Sequence, residues 1–447
     1  MKNLALLLPL LGLIQPLSAL TLHESSQPAT LQYTVERRHN TIRASHKRAA
    51  TVESDIGNKV GAEVDYVINL SLGTPGQNVS VIIDTGSSDL WVNAANGSDP
   101  NANSTYGTYD ASSSSTYKYI NDEFIIQYVD GSEAAGDYVN DTLKVGNATL
   151  TNFQFGVASN STSSQGVLGI GYTLGETSSQ FGGGEYPNLP KALVNQGYIK
   201  SAAYSLWLDD VDAKEGTILF GGVNTAKYTG SLHTLAIEKV NGVYSTLVVS
   251  LAGVHVTGTD SSSINNTAFP VLGVLDSGTS LTYLPATPAL ELIEAVGAEY
   301  IERAGYAIVD CDVADKDYEI VFEFSGFNLS VSVGDLLLDE GSYCVFGIVP
   351  QDDEDDGEYV LGDTFLRSAY VVYDLENNEV AIAKTNTDPG TDHILEIGSG
   401  SSGIPNATGV SSSSSSDGSS KESAAVVLRL DVSLLCAAII GSLLLIS

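Results

Sequence analysis

Positive charge is what this chain most lacks. It carries 20 Lys and Arg against 54 Asp and Glu, a formal charge of −34 with a pI near 4.2. Nucleic-acid binding needs Lys and Arg to displace phosphate counterions, so no nucleic-acid partner is expected. An acidic working environment fits better, because protonation there relieves repulsion among the carboxylates. Several catalytic signatures are also missing. There is no Gly-x-Ser-x-Gly elbow and no phosphate-cradling Gly-Lys-Ser/Thr loop, and the six His are scattered without a His-Glu-x-x-His pair. Neither a metal nor a cofactor is expected. Long apolar runs are absent too: Leu4–Ile14 and the 16-residue tail Val432–Ser447 are both short for a membrane span. Cysteine is limited to three residues, Cys311, Cys344 and Cys436, and no short-period repeat occurs.

What is present is ample apolar material, 43% of 447 residues, enough for two lobes with cores of their own. From Tyr66 onward, short runs of Val, Ile, Leu, Tyr and Phe alternate with Gly, Ser, Asn and Asp turns, the pattern of an all-β chain. Helices are expected only at 189–196 and 288–303, the latter from Leu290, Ile293, Val296 and Ile301 at helical spacing. The Asn- and Ser-rich stretch 93–115 reads as a mobile surface loop.

One pattern occurs twice. Val81-Ile82-Ile83 leads into Asp84-Thr85-Gly86-Ser87-Ser88, and Val274-Leu275 leads into Asp276-Ser277-Gly278-Thr279-Ser280. A single Asp-Thr-Gly is an ordinary turn. Two copies, each after a strand and each followed by a Leu and an aromatic residue, are a site half written twice. The copies lie 192 positions apart, about one domain length, so each can sit in its own lobe with the carboxylates meeting between them. Two carboxylates sharing one proton can activate a water and protonate its target. Glycosidases also use two carboxylates, but they do not require these paired frames.

The motifs resemble those of the pepsin-like aspartic proteases, from about Asp65 to Ala383. Ser71-Leu72-Gly73-Thr74-Pro75, Gln127-Tyr128-Val129-Asp130-Gly131-Ser132, Val167-Leu168-Gly169-Ile170-Gly171 and Leu361-Gly362-Asp363-Thr364-Phe365-Leu366-Arg367 follow in the family's order. Phe220-Gly221-Gly222-Val223 and Lys227-Tyr228-Thr229-Gly230-Ser231-Leu232 are most similar to the fungal yapsin and candidapepsin branch. The resemblance implies a bilobal all-β fold, two β-barrel-like lobes with the cleft between them, acting as a monomer on peptide and protein substrates. It implies Asp84 and Asp276 as the catalytic dyad, Thr85 and Ser277 as hydroxyls locking the two loops beneath it, and Ser87 and Thr279 as contacts to the outer carboxylate oxygens. Gly86 and Gly278 keep the dyad uncrowded. Tyr128 matches the tyrosine of a flap hairpin that closes over substrate, with Trp91 as its partner, and Asp130-Gly131 forms the flap tip. Val129 stands where the family usually has Gly. The same resemblance implies a Cys311–Cys344 disulfide and, through Asp130 and the yapsin likeness, acceptance of Lys or Arg before the scissile bond. A non-enzymatic wall glycoprotein on a retired protease fold is the alternative, and the presence of both aspartates argues against it.

The ends read as processing segments. Residues 1–20 have the form of a secretory signal. Residues 21–48 are net basic and end at Lys47-Arg48, the expected cut of a dibasic-cleaving processing protease. The segment 49–418 holds 12 Lys and Arg against 50 Asp and Glu, a charge of −38, so attraction is expected to hold the basic propeptide over an acidic cleft. Lobes are expected at 49–232 and 233–385, followed by a Ser/Gly-rich stalk over 386–418. Small residues near Gly418, a polar spacer and an apolar tail give 419–447 the order of a removed glycosylphosphatidylinositol (GPI) signal, anchoring the protein to the membrane or cell wall. N-glycosylation is expected foremost at Asn96, Asn103, Asn160, Asn265 and Asn406.

Overall fold

The computed structural model describes residues 29–40, 63–95, 104–259, 264–352, 358–398 and 408–409. Lys47, Arg48, Asn96, Asn103, Asn406, Gly418, Cys436 and the whole of 1–20 lie outside them.

The all-β expectation holds. A 14-stranded sheet draws strands from both halves of the chain, and a seven-stranded sheet builds most of the second half. The strand Gln77–Asp84 shows why these sequences pair: Val79, Val81 and Ile83 alternate inward and are fully buried, as the two-residue period of a half-covered strand requires. It runs antiparallel to Glu63–Leu72 and parallel to Gly166–Gly169, with Asp84 opposite Gly169. The second half repeats the plan. Val271–Leu275 is antiparallel to Val248–Thr257 and parallel to Tyr359–Leu361, with Leu275 opposite Leu361. Each aspartate therefore follows from a buried strand braced by a parallel neighbour.

Four expectations are corrected. The helix expected over 288–303 is Ala286–Val296: Gly297 takes a left-handed conformation (φ 81°) that ends it, and Glu299–Ile301 is a strand. The basic leader is not simply draped over a cleft, because Leu31–Asn40 is a strand inserted between Glu215–Phe220 and Glu63–Leu72. Backbone pairing, not charge alone, holds it. The stretch 93–115 is pinned at both described ends, since Asn93 and Tyr109 are buried and the Tyr109 hydroxyl donates to Asp141 at 2.5 Å. The stalk expected from Asn386 begins as folded structure: Ile394–Glu396 pairs with Gly222–Asn224, and Ile397 is fully buried. Its Glu396 is buried as well, accepting the backbone N–H of Ala29 at 2.7 Å and pairing with Lys200.

Cys311 and Cys344 form a disulfide with Cα atoms 5.1 Å apart, joining an inner strand of a four-stranded sheet to a 3-10 turn. Of the sequons, Asn160 and Asn265 are exposed, while Asn69 and Asn78 sit within strands with their side chains outward.

Candidate active site

The two motif loops meet head to head. Thr85 N–H donates to Ser277 Oγ at 3.2 Å and Ser277 N–H to Thr85 Oγ1 at 2.9 Å. Each hydroxyl then donates onward to the strand of the other half, Thr85 Oγ1 to Leu275 O at 2.7 Å and Ser277 Oγ to Ile83 O at 2.9 Å. Both side chains are about 1% exposed. Four interlocked bonds in a dry site fix the relative position of the halves, and the missing methyl of Ser277 costs none of them.

Above this lock the carboxylates are held in matching ways. Gly86 N–H donates to Asp84 Oδ1 at 2.7 Å and Gly278 N–H to Asp276 Oδ1 at 2.8 Å. Ser87 Oγ donates to Asp84 Oδ2, and Thr279 Oγ1 to Asp276 Oδ2 at 2.6 Å. The glycines are required by contact: a Cβ on Gly86 would stand 2.6 Å from Asp276 Oδ1, and one on Gly278 would stand 2.5 Å from Asp84 Oδ1. Burial pushes the Asp84 carboxyl well above the usual carboxylate range, and the charge of Asp276 and a hydrogen bond to it push in the same direction. Such a pair holds one proton between two groups, and its apparent pKa values belong to the pair. One ionised and one protonated carboxyl can deprotonate a water and hydrogen-bond the oxyanion formed by its attack.

The hairpin of Lys118–Gln127 and Glu133–Val145 turns at Tyr128–Ser132. Gly131 adopts φ 83°, and Asp130 Oδ1 accepts both the N–H (2.8 Å) and the hydroxyl (2.7 Å) of Ser132. Asp130 is exposed, and so is Val129 before it. Trp91 Nε1 donates to the Tyr128 hydroxyl at 2.8 Å. Burial raises the Tyr128 phenol well above its ordinary value, and the charge of Asp84 adds to the effect.

Two buried polar groups carry roles the sequence reading did not assign. Beneath the Asp276 loop, Asp363 and Arg367 are one turn apart on a short helix, both about 1% exposed, near Tyr66 and Arg37. Arg367 Nη2 donates to Asp335 O at 2.8 Å, while Asp363 N–H donates to Thr279 O at 2.8 Å and supports the motif loop from below. Against the hairpin, Asp89 is fully buried among Tyr138, Tyr186 and Thr177. The available signal was a charged residue inside an otherwise apolar motif: Asp89 directly before Leu90-Trp91, and Asp363 and Arg367 spaced i, i+4.

Comparison with known proteins agrees with this geometry. The family described as eukaryotic aspartyl protease matches residues 65–385. Probable aspartic-type endopeptidase opsB of Aspergillus oryzae is 45% identical over 430 residues, covering 91% of this chain and 86% of the relative. Aspartic proteinase 3 of Saccharomyces cerevisiae is 35% identical, covering 76% and 73%. The crystal structure of an aspartic proteinase from Irpex lacteus superposes with a TM-score of 0.62 at 21% identity, covering 80% of this chain and 99% of the other, and shows the same bilobal fold. The chain belongs to the eukaryotic aspartyl protease family and is an aspartic endopeptidase.

Proposed function

We propose that this protein is an exported, surface-anchored endopeptidase that cleaves peptide bonds at acidic pH through a water activated by Asp84 and Asp276. The observation that carries the catalytic part is the closure of the two motif loops on each other, with a Cβ on either glycine colliding with the opposite carboxylate. Tyr128 on the hairpin closes the site and excludes water, and Trp91 holds its hydroxyl. For location, the support is the signal-like residues 1–20, the anchor-signal order after Gly418, and the name of a 40% identical relative, Secreted aspartic protease 8 of Candida albicans, which covers 71% of this chain. Among the described residues no helix is long and apolar enough to cross a membrane. Maturation follows Lys47-Arg48, and the described leader strand is what such a cut releases from its covalent tie. N-terminal sequencing of secreted enzyme should begin at Ala49; a start upstream of Arg43 would mean another boundary. Release by phosphatidylinositol-specific phospholipase, with Cys436 missing from the mature chain, supports the anchor.

The specificity reading is a preference for Lys or Arg on the N-terminal side of the cut. Asp130 stands exposed at the flap tip, and its bonds to Ser132 both fall on Oδ1, which leaves Oδ2 without a partner among the described residues. A carboxylate oxygen there would pair with a cationic side chain of the substrate. Matched peptides carrying Lys, Arg, Leu or Phe before the scissile bond test this with wild type and Asp130→Ser. Loss of Lys and Arg cleavage relative to Leu in the variant is expected, whereas unchanged ratios would leave Asp130 a turn residue only.

A further inference from the structure

Asp84 is not the only buried carboxyl around the Tyr128 hairpin. Asp89 is 0% exposed, five residues beyond Asp84, and Glu176 is 0% exposed just ahead of the short helix Thr177–Gln180. Asp89 Oδ1 accepts the hydroxyls of Tyr138 (2.9 Å) and Tyr186 (2.6 Å), and its Oδ2 accepts the N–H of Thr177 at 2.8 Å. Glu176 Oε2 accepts the N–H of Tyr186 at 2.8 Å, and its Oε1 is buried without a partner. The segment 176–186 is thus tied at both ends to two carboxyls.

The rings held there lead directly to the flap. Tyr138 stands edge-on to Tyr186 at 5.8 Å and to Phe124 at 5.3 Å, and Phe124 packs 6.4 Å from Trp91, whose Nε1 holds the Tyr128 hydroxyl. Phe124 and Tyr138 come from the two strands of the flap hairpin, so the cluster grips its root from inside. A Cβ on Gly156 would stand 2.7 Å from the Phe124 ring, which shows how closely that ring is confined.

We propose that Asp89 and Glu176 form a second, non-catalytic carboxyl pair that positions the flap, Asp89 fixing Tyr138 and Tyr186 so that Phe124, Trp91 and finally Tyr128 keep their places over the dyad. Both are positioning residues, since neither reaches the reacting atoms. The arrangement is sensitive to pH. Burial pushes the Glu176 carboxyl up to about 9, and the charged groups that face it, Asp89 and Glu185, are both acidic. Around Asp89 stand Tyr138, Tyr186, Glu176 and Tyr128, again without a countercharge among them. Its carboxyl is raised by burial and lowered by its three donors. In acid Glu176 is neutral and the cluster closed; ionising it beside Asp89 puts two uncompensated charges in a dry site, which loosens 176–186 and the flap root.

This inference rests on reading Tyr128 as the flap residue, so Tyr128→Ala serves as the reference. The test is kcat and KM per active site, counted by titration with a statine-type inhibitor, from about pH 3 to about pH 8 for full-length enzyme. Asp89→Ala should raise KM and lower kcat/KM about tenfold or more, and Asp89→Asn should recover most of it, because its amide oxygen still accepts from the tyrosines. Glu176→Gln, which cannot ionise, should keep its unfolding temperature to higher pH than wild type, read from about pH 7 to about pH 11 around the wild-type value of about 9. Should Asp89→Ala fail to fold, Tyr186→Phe decides, since it removes one hydroxyl at almost constant volume. Wild-type KM in a folded Asp89→Ala or Tyr186→Phe, with only thermal stability reduced, overturns the proposal. So does a Glu176→Gln unfolding profile superimposable on wild type through about pH 11. If Tyr128→Ala is itself silent, the flap reading is what fails.

Discussion

The two halves of the site share one hydrogen-bond map and differ in almost everything around it. On the N-terminal side Asp84 is buried (6% exposed) in the half that carries the hydrogen-bonded Tyr128 and Trp91, and an acidic Asp89 follows five residues later. On the C-terminal side Asp276 is half-buried, and Leu281 stands at the position matching Asp89. Support for the second half comes from below instead, through Asp363 and the buried Arg367. A short duplicated motif therefore fixes where two carboxylates meet, and the unequal shells decide how each behaves. The raised carboxyl of Asp84 follows from its deeper burial, not from its own loop, whose bonds match those of Asp276 within 0.1 Å at the glycine N–H.

The sharpest way to break the comparison is to remove one carboxylate at a time. Because each has its own place in one proton cycle, Asp84→Asn and Asp276→Asn should both lower turnover by at least about 10³-fold while the fold persists. Circular dichroism and inhibitor-free thermal unfolding check the fold, and peptide hydrolysis checks the loss. A folded Asp276→Asn enzyme with wild-type turnover would remove the dyad from the mechanism. Next in size are Gly86→Ala and Gly278→Ala. Each places a methyl within 2.6 Å of the opposite carboxylate, so the oxygens must move, and a displacement near 1 Å costs on the order of 10²-fold in rate. Comparable losses from the two glycines support the symmetry; a loss confined to one would show that only that half is rigid.

The pH response tests the asymmetry. A carboxyl raised in the folded state contributes stability that is present below its unfolded pKa and lost as pH rises through the folded value. Asp84, Asp89, Glu176 and Asp363 are all raised, burial being the largest cause for each. Thermal stability should therefore be highest in acid and decline toward neutral and alkaline pH, and activity should follow a bell whose alkaline limb marks loss of the shared proton. Asp84→Asn should flatten the decline in stability. Unfolding temperatures that rise steadily from acid to alkaline pH would contradict the burial argument.

Much of this was legible in the sequence because local rules suffice for it. Strand residues before Asp84 and Asp276, small residues after them, and the Asp130-Gly131 turn each specify their own conformation. What was not legible depends on partners far away in the chain. The leader strand Leu31–Asn40 acquires its role only by pairing with Glu215–Phe220, and residues 386–398 look like a stalk until Ile394–Glu396 meets Gly222–Asn224. Asp89 reads as a polar loop residue until Tyr138 and Tyr186, 49 and 97 positions on, supply its donors. Glu299–Ile301 was lost to a helical pattern because periodicity does not register the left-handed Gly297 that stops the helix.

The smallest expected effect on catalysis concerns covalent stapling, which among the described residues is confined to the second half. Cys311–Cys344 closes a separation of 33 residues, between a 3-10 turn and a strand paired to Leu337–Asp339 and Tyr306–Val309. Cys344 is buried and Cys311 half-buried, and the Cys344 strand belongs to a different sheet from the strands that lead to the dyad and form the hairpin. Removal of the disulfide lengthens the free loop of the unfolded chain and should reduce stability by about 2–4 kcal/mol. The paired Cys311→Ser, Cys344→Ser variant should accordingly unfold earlier in denaturant, with kcat/KM within about twofold of wild type while folded. The Asp276 half is the one stapled and Asp84 sits on the unstapled half, so any loss of rate should come from the grip between Thr85 and Ser277. Hydrogen exchange can separate these: faster exchange confined to 306–346 keeps the staple local, whereas faster exchange at Thr85 and Ser277 N–H would show that the disulfide also tensions the site.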